Sequence, residues 1–172
     1  IDTMRLVGKV VEAFHRYNAL WVFVDEGGVG GGVVDRLRQL RIPVIGVDFG
    51  SRPEGTNLEL GVKYANKRAE IWGELRAWLP SAIIPERIAG LEVTLVDELV
   101  APNYGLNNKE EILLESKKDM RRRGIASTNV ADALATTFAM PIFDIPAHEA
   151  PPTQSVIPAF NPFTTENIYE LS

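Results

Sequence analysis

The chain has 172 residues, 45% of them hydrophobic, and a formal net charge of −5, which suits one domain with a real core. It has no cysteine and only two separated histidines, His15 and His148, so a disulfide frame and a thiolate or histidine-rich zinc site are excluded and any metal must be held by oxygen ligands. No apolar run reaches the ~18 residues of a membrane span, and Ile1-Asp2-Thr3-Met4 does not resemble a signal peptide, so a soluble protein is expected.

Residues 2 to 17 place Val7, Val10, Val11 and Phe14 at helical spacing behind a capping Asp2 or Thr3, which predicts an amphipathic helix ended by Asn18. Leu20 to Val24 is apolar and β-branched without alternation, the pattern of a strand buried on both faces of a parallel sheet. A helix over Gly32 to Leu40, with Val33, Leu37 and Leu40 on one side, leads to a second buried strand at Pro43 to Val47; together they predict a right-handed β-α-β unit. Residues 57 to 79 read as a helix with Leu60, Tyr64, Ile71, Leu75 and Trp78 on its apolar side, stopped by Pro80. Trp72 and Trp78 are read there as core residues rather than base-stacking ones.

A short helix is expected around Leu95 to Leu99, then a hairpin pairing Pro102-Asn103-Tyr104 with Ile112-Leu113-Leu114 across a polar turn containing Asn107 and Asn108. Ser116 can cap a basic helix ending at Gly124, and Ser127 a last helix whose stripe of Val130, Leu134 and Phe138 leaves Asp132 on another face. Residues 1 to 140 thus form the domain, and residues 141 to 172, with six of the eleven prolines, an extended or disordered arm.

Residues 22 to 37, VFVDEGGVGGGVVDRL, carry the first chemical signal. Strand, glycines, helix and strand, with Asp48 twenty residues after Gly28, imitate a dinucleotide-binding unit. The spacing fails: from Gly28 the motif needs glycine where Val33 stands, and from Gly30 where Asp35 stands, and no G-K-[ST] follows. Asp25 and Glu26 would also repel a pyrophosphate. A Rossmann-like nucleotide-binding unit therefore remains only as an alternative. The glycines either make a tight turn needing positive φ or keep side chains clear of Asp25, so that a phosphodiester and a hydrated metal can approach. Asp25 stands at the carboxyl end of a strand, where open α/β sheets place their chemistry. Glu26 and Asp35 are read as structural, Asp35 as an acceptor for amides of the glycine turn. Lys117, Lys118, Arg121, Arg122 and Arg123 fall within seven residues and are either a solvated helix face or a phosphate-binding patch.

The segments V-F-V-D-E-G-G-V-G-G-G-V-V-D-R-L, Y-A-N-K-R-A-E-I-W and E-S-K-K-D-M-R-R-R-G-I-A-S-T-N-V-A-D-A-L-A-T-T-F, in this order, resemble the C-terminal nuclease domain of phage terminase large subunits over roughly residues 1 to 140. The resemblance implies an RNase H-like α/β fold, a mixed sheet flanked by helices, in a metal-dependent endonuclease that cuts concatemeric DNA during genome packaging. It implies two Mg2+ or Mn2+ ions about 4 Å apart, one activating water and one stabilising the leaving oxygen. Asp25 matches the family's second-strand acid and Asp132 the acid of its last helix, both as catalytic metal ligands. Where the family often reads S-P-D, this chain has Ser127-Thr128-Asn129, so Asn129 replaces an auxiliary carboxylate with a weaker ligand.

Lys67, Arg68 and the cluster Lys117, Lys118, Arg121, Arg122 and Arg123 are the implied contacts to double-stranded DNA. The portal and the small terminase subunit are the family's other partners, and the host bacterial cytoplasm is the implied location. The family's first acid lies on a strand preceding the first helix, so the first three strands of the fold are expected to be lacking. The expectation is then a fragment, a prophage remnant, or a chain that covers an exposed sheet edge by self-association, with feeble cleavage or a catalytically inactive DNA-binding or assembly role. No Walker A motif occurs, so the packaging ATPase is not encoded in this stretch.

Overall fold

Asp2 accepts the backbone N–H of Met4 at 3.0 Å and so starts the first helix, α1 (Thr3–Arg16), as its spacing predicts. The computed structural model describes residues 2–55, 61, 63–84 and 95–142. After α1 come β1 (Val22–Asp25), α2 (Gly30–Gln39) and β2 (Val44–Val47), then α3 (Lys67–Trp78), which runs into a 3-10 turn at Leu79–Ser81. α4 (Leu95–Val100), β3 (Tyr104–Leu106), β4 (Ile112–Leu114), α5 (Lys117–Arg122) and α6 (Asn129–Thr136) complete the described chain. The result is an α/β fold with small sheets: a parallel pair, β1 with β2, and an antiparallel pair, β3 with β4.

The β-α-β unit forms as expected, with Val22 opposite Val44 and Asp25 opposite Val47. Its details differ. β1 begins two residues later than the apolar run and ends on Asp25, and Val22, Phe23 and Val24 are half-buried rather than covered on both faces. α2 begins at Gly30, so Gly30, Gly31 and Gly32 are helical and only Gly28 of the cluster takes a positive φ, 63°. Gly30 serves a close approach instead: a Cβ there would collide with the carbonyl oxygen of Asp25. α1 packs on α2 through Val7, and Val33, Val34, Leu37, Ile42 and Val44 complete that core.

The second core joins Val47, Ile71, Trp72, Leu75, Leu95, Ala131, Ala135 and Ala139. α3 is shorter than the 57-to-79 expectation because Asn66 caps it, accepting the N–H of Ala69 at 2.9 Å. Tyr64 leaves the helix and bridges Ile112, while Leu60 lies outside the described residues. Pro80 sits within the 3-10 turn, where its missing N–H is tolerated. Ala131 and Ala135 are fully buried, and these small side chains let α6 approach α3 closely.

The hairpin is displaced: Tyr104 pairs with Leu114 and Leu106 with Ile112, and β3 is exposed throughout. Asn107 holds its turn by accepting the N–H groups of Lys109 at 2.8 Å and Glu111 at 3.0 Å. Ser116 caps α5 as expected, accepting the N–H of Asp119 at 3.1 Å. Ser127 does not cap α6; its hydroxyl donates to Asn129, and the cap comes from another helix. Asp132, although off the apolar stripe, is buried, with 5% of its surface exposed. No helix among the described residues is long and apolar enough to cross a membrane. The expected arm falls outside the described residues from position 143 onward.

Candidate active site

Two aspartates mark the carboxyl ends of the parallel strands. Asp25 closes β1, is exposed, and accepts the N–H of Gly27 on Oδ1 at 2.8 Å. Asp48 follows β2, is also exposed, and accepts the N–H of Gly50 at 2.8 Å. Each uses one carboxylate oxygen to shape the turn that follows its strand. Glu26 donates its backbone N–H to the carbonyl of Val47 at 3.0 Å, and its side chain lies across Gly46, where any Cβ would displace it. Asp25, Glu26 and Asp48 therefore share one end of the sheet. Sequence reasoning passed over Asp48 as a site residue, although Val47-Asp48 repeats Val24-Asp25 at the end of the next strand.

Asp132 lies in the first turn of α6, and α6 packs against β1. Its Oδ1 accepts from Arg68 Nε at 3.3 Å, Arg68 Nη2 at 3.2 Å and Trp72 Nε1 at 3.0 Å. Its Oδ2 meets Lys117 Nζ at 3.0 Å and the Thr128 hydroxyl at 3.3 Å. Arg68 Nη1 donates onward to the Glu115 carbonyl at 2.9 Å, so one guanidinium ties α3 to α6 and to the end of β4. A carboxylate this buried requires compensation of this kind. Two cations face it. A cleft of about 570 Å3 opens between this centre and the turn after β2, with Phe49, Gly50, Asn66, Arg68, Glu115 and Lys117 in its wall.

The remaining sequence-selected residues separate by environment. Lys67 and Arg68, expected to face DNA, are only 7% and 8% exposed. Lys67 is held between Glu70 at 2.8 Å and Glu54 at 3.4 Å and Arg68 is bonded to Asp132, so both cations already have carboxylate partners. Asp35 is exposed and pairs with Arg38 at 3.7 Å; the glycine-turn bond expected of it is made by Asp25. Asn129 is exposed and accepts from Ser127 at 2.7 Å.

In the basic cluster, Arg122 bonds Asp119 at 2.7 Å and Arg123 bonds Glu115, while Lys118 and Arg121 are exposed and make no ion pair among the described residues. The hydrogen bond from Arg123, helped by the Asn103 N–H, holds the Glu115 carboxyl below the usual carboxylate range. The same contact raises the Arg123 guanidinium. Among the described residues, no three His, Cys, Asp or Glu side chains gather closely enough to hold a metal ion.

An acid-tipped parallel β-α-β unit, with a later helix that packs on its first strand and carries a buried aspartate, defines an α/β fold of the kind found in the nuclease domains of phage terminase large subunits. The solved nuclease domain of the large terminase subunit gp2 of bacterial virus Sf6 matches with a TM-score of 0.62 at 21% identity, over 79% of this chain and 72% of that one. A lysine-to-alanine mutant of that domain with manganese matches at 0.61 and 21% identity, over 78% and 72% of the two chains. The mutant with calcium matches at 0.61 and 22% identity, over 78% and 71%. At these identities the likeness is one of fold. No protein-family model and no curated protein matches the sequence.

Proposed function

We propose that this chain is a metal-dependent DNA endonuclease domain of a phage or prophage terminase large subunit, with Asp25 and Asp132 as metal ligands. The observation carrying this reading is that α6 lies against β1, so the two acids sit on neighbouring elements of a fold shared with a metal-bound nuclease domain. The oxygen donors at the strand ends, Asp25, Glu26 and Asp48, suit a hard divalent cation such as Mg2+ or Mn2+. When bound, such a cation would lower the pKa of an attacking water and stabilise the leaving oxygen.

The chain's own residues supply the rest. The turns after β1 and β2 hold Asp25 and Asp48 exposed. Lys117, in the cleft wall beside Asp132, would receive the negative charge of a phosphodiester. Lys118 and Arg121 would hold the flanking backbone by contacts that confer affinity but no sequence preference. In a packaging assembly the portal and the small terminase subunit would be the protein partners, within the host cytoplasm.

A second reading, a DNA-retaining module that does not cut, is favoured by the two cations already facing Asp132. Plasmid nicking in Mg2+ or Mn2+, with DNA retention measured at low salt, tests both. Nicking lost in Asp25→Ala supports the first reading; retention without nicking supports the second. Neither nicking nor retention would reject both.

A further inference from the structure

We propose that Tyr104, on the β3–β4 hairpin, is a stacking platform for an unpaired nucleobase, and that the cleft beside it takes one nucleotide lying outside a duplex. The proposal rests on the DNA-binding part of the reading above, adds the state in which the strand is engaged, and requires no metal. It starts from the wall of the cleft of about 570 Å3. Lys117, its side chain 36% exposed, brings positive charge there, but Phe49, Tyr104, Leu106, Leu113 and Leu114 make much of the remaining wall apolar. A sugar-phosphate backbone alone has no use for such a surface; a flat base beside it does.

Tyr104 is 62% exposed although one face of its ring is covered. The Arg76 guanidinium lies over that face, 5.8 Å from the ring centre, and steadies it. Arg76 lines a second, apolar cavity, whereas Tyr104 lines both that cavity and the cleft, so the ring stands between them with its other face toward the cleft. Leu106, two residues on and therefore on the same side of β3, is 69% exposed. Inside a duplex both faces of a base are covered by its neighbours, so only a base out of the stack can lie against this ring.

The hairpin is held in place beside the cations. Glu115 donates its N–H to the Asn103 carbonyl at 2.8 Å, the Asn103 N–H returns a bond to the Glu115 carboxylate at 3.1 Å, and Arg123 donates to the Ala101 carbonyl at 2.9 Å. β3 is thereby tied to the residues that lead into α5, where Lys117 and Lys118 stand. The acids of the cleft wall, Glu115 and Asp119, are each bonded to an arginine, which offsets their repulsion of a phosphate. Lys117 can then receive a phosphate while the attached base lies on Tyr104.

The test uses the full chain at low salt in EDTA, so that no cleavage intervenes. Fluorescence anisotropy measures the binding of an oligothymidylate and of an abasic strand with the same number of phosphates, for which the counterion contribution is equal. The wild type should hold the base-bearing strand about tenfold more tightly, within the range of about 5- to 100-fold that stacking of one base on an aromatic ring commonly contributes. Tyr104→Ala, first shown to unfold cooperatively, should lose this preference, and Tyr104→Phe, which keeps the ring, should retain it. Equal binding of the two strands by the wild type would overturn the stacking and leave DNA binding standing. A preference that survives in Tyr104→Ala, or that Tyr104→Phe also loses, would overturn the assignment to the ring face. Binding of neither strand would overturn both the proposal and the reading on which it rests. Should Tyr104→Ala fail to fold, photocrosslinking of a 5-iodouracil strand to the wild type decides the matter: an adduct on Tyr104 supports the proposal, and an adduct elsewhere, or none, overturns it.

Discussion

Glu98, buried on α4, accepts the backbone N–H of Ala131 on α6 at 2.9 Å, and the same oxygen accepts the N–H of Val130 at 2.7 Å. A carboxylate from a different helix thus supplies the cap that α6 lacks locally, and it brings negative charge to the positive end of the helix dipole. The cap also fixes the turn on which Asp132 stands. Glu98→Ala should therefore cost about 2 kcal/mol, the loss of a cap together with an unsatisfied buried amide. Urea unfolding checks this, and Glu98→Gln, which keeps an acceptor, should lose less.

Adjacent glycines of the cluster should respond to alanine with opposite signs. At Gly30 a Cβ would strike the Asp25 carbonyl, so Gly30→Ala must push α2 away from the end of β1 and should destabilise by about 1–3 kcal/mol. At Gly31, one residue on in the same helix, nothing lies within 4 Å of the added carbon. Gly31→Ala should stabilise by about 0.5–1 kcal/mol through helix propensity and a less flexible unfolded chain. Thermal unfolding of the two variants side by side measures the contrast, and equal effects would remove the close-approach explanation.

The pattern of legibility follows from the range of the interactions involved. α1, the β-α-β unit and the cap of α5 were readable because each rests on local spacing or a side chain within three residues of the amide it serves. The burial of Asp132 was not, since its partners Arg68, Trp72 and Lys117 lie far away in the chain and no periodicity announces them. Isolated from that context, an aspartate beside an apolar stripe reads as solvated. Lys67 and Arg68 were legible as cations but not as buried ones: Arg68 is covered by Asp132 from α6, and Lys67 pairs with Glu70 on its own helix and with Glu54. The cap of α6 was assigned to Ser127 because a serine precedes the helix, whereas the acceptor comes from Glu98 through tertiary packing. The place of Asp25 at the end of β1 was legible by position alone, as the acid ending an apolar run.

The Glu115–Arg123 pair gives a pH dependence of known sign. Glu115 is held low chiefly by the Arg123 hydrogen bond, with Arg123 Nε donating to Oε1 at 2.8 Å, and then by the N–H of Asn103 at 3.1 Å. Because the folded form releases its proton more readily than the unfolded form, the pair stabilises the fold above the ordinary carboxylate value. That contribution disappears as pH falls through the lower folded value. Arg123→Ala should raise the Glu115 midpoint toward the ordinary range, seen by carboxyl-carbon NMR titration, and should flatten the acid-side loss of stability. Added salt should weaken the effect because the pair lies near solvent.

Charge reversal within the basic cluster should not act uniformly if this surface holds DNA. Arg122 and Arg123 already carry bonded carboxylates, from Asp119 and Glu115, so a phosphate must compete with an existing partner at those positions. Lys118 and Arg121 are exposed without an ion pair among the described residues, and each can meet a phosphate without first breaking one. Lys118→Glu and Arg121→Glu should therefore weaken low-salt DNA retention more than Arg122→Glu. Where a direct phosphate contact is lost, the dependence of log affinity on log salt should become shallower by about 0.9. Retention measured over a salt series separates this from a general change in net charge, which would affect all three variants alike. If all three reversals behave equally, the cluster acts only through its summed field, and if none matters, DNA is held elsewhere on the molecule.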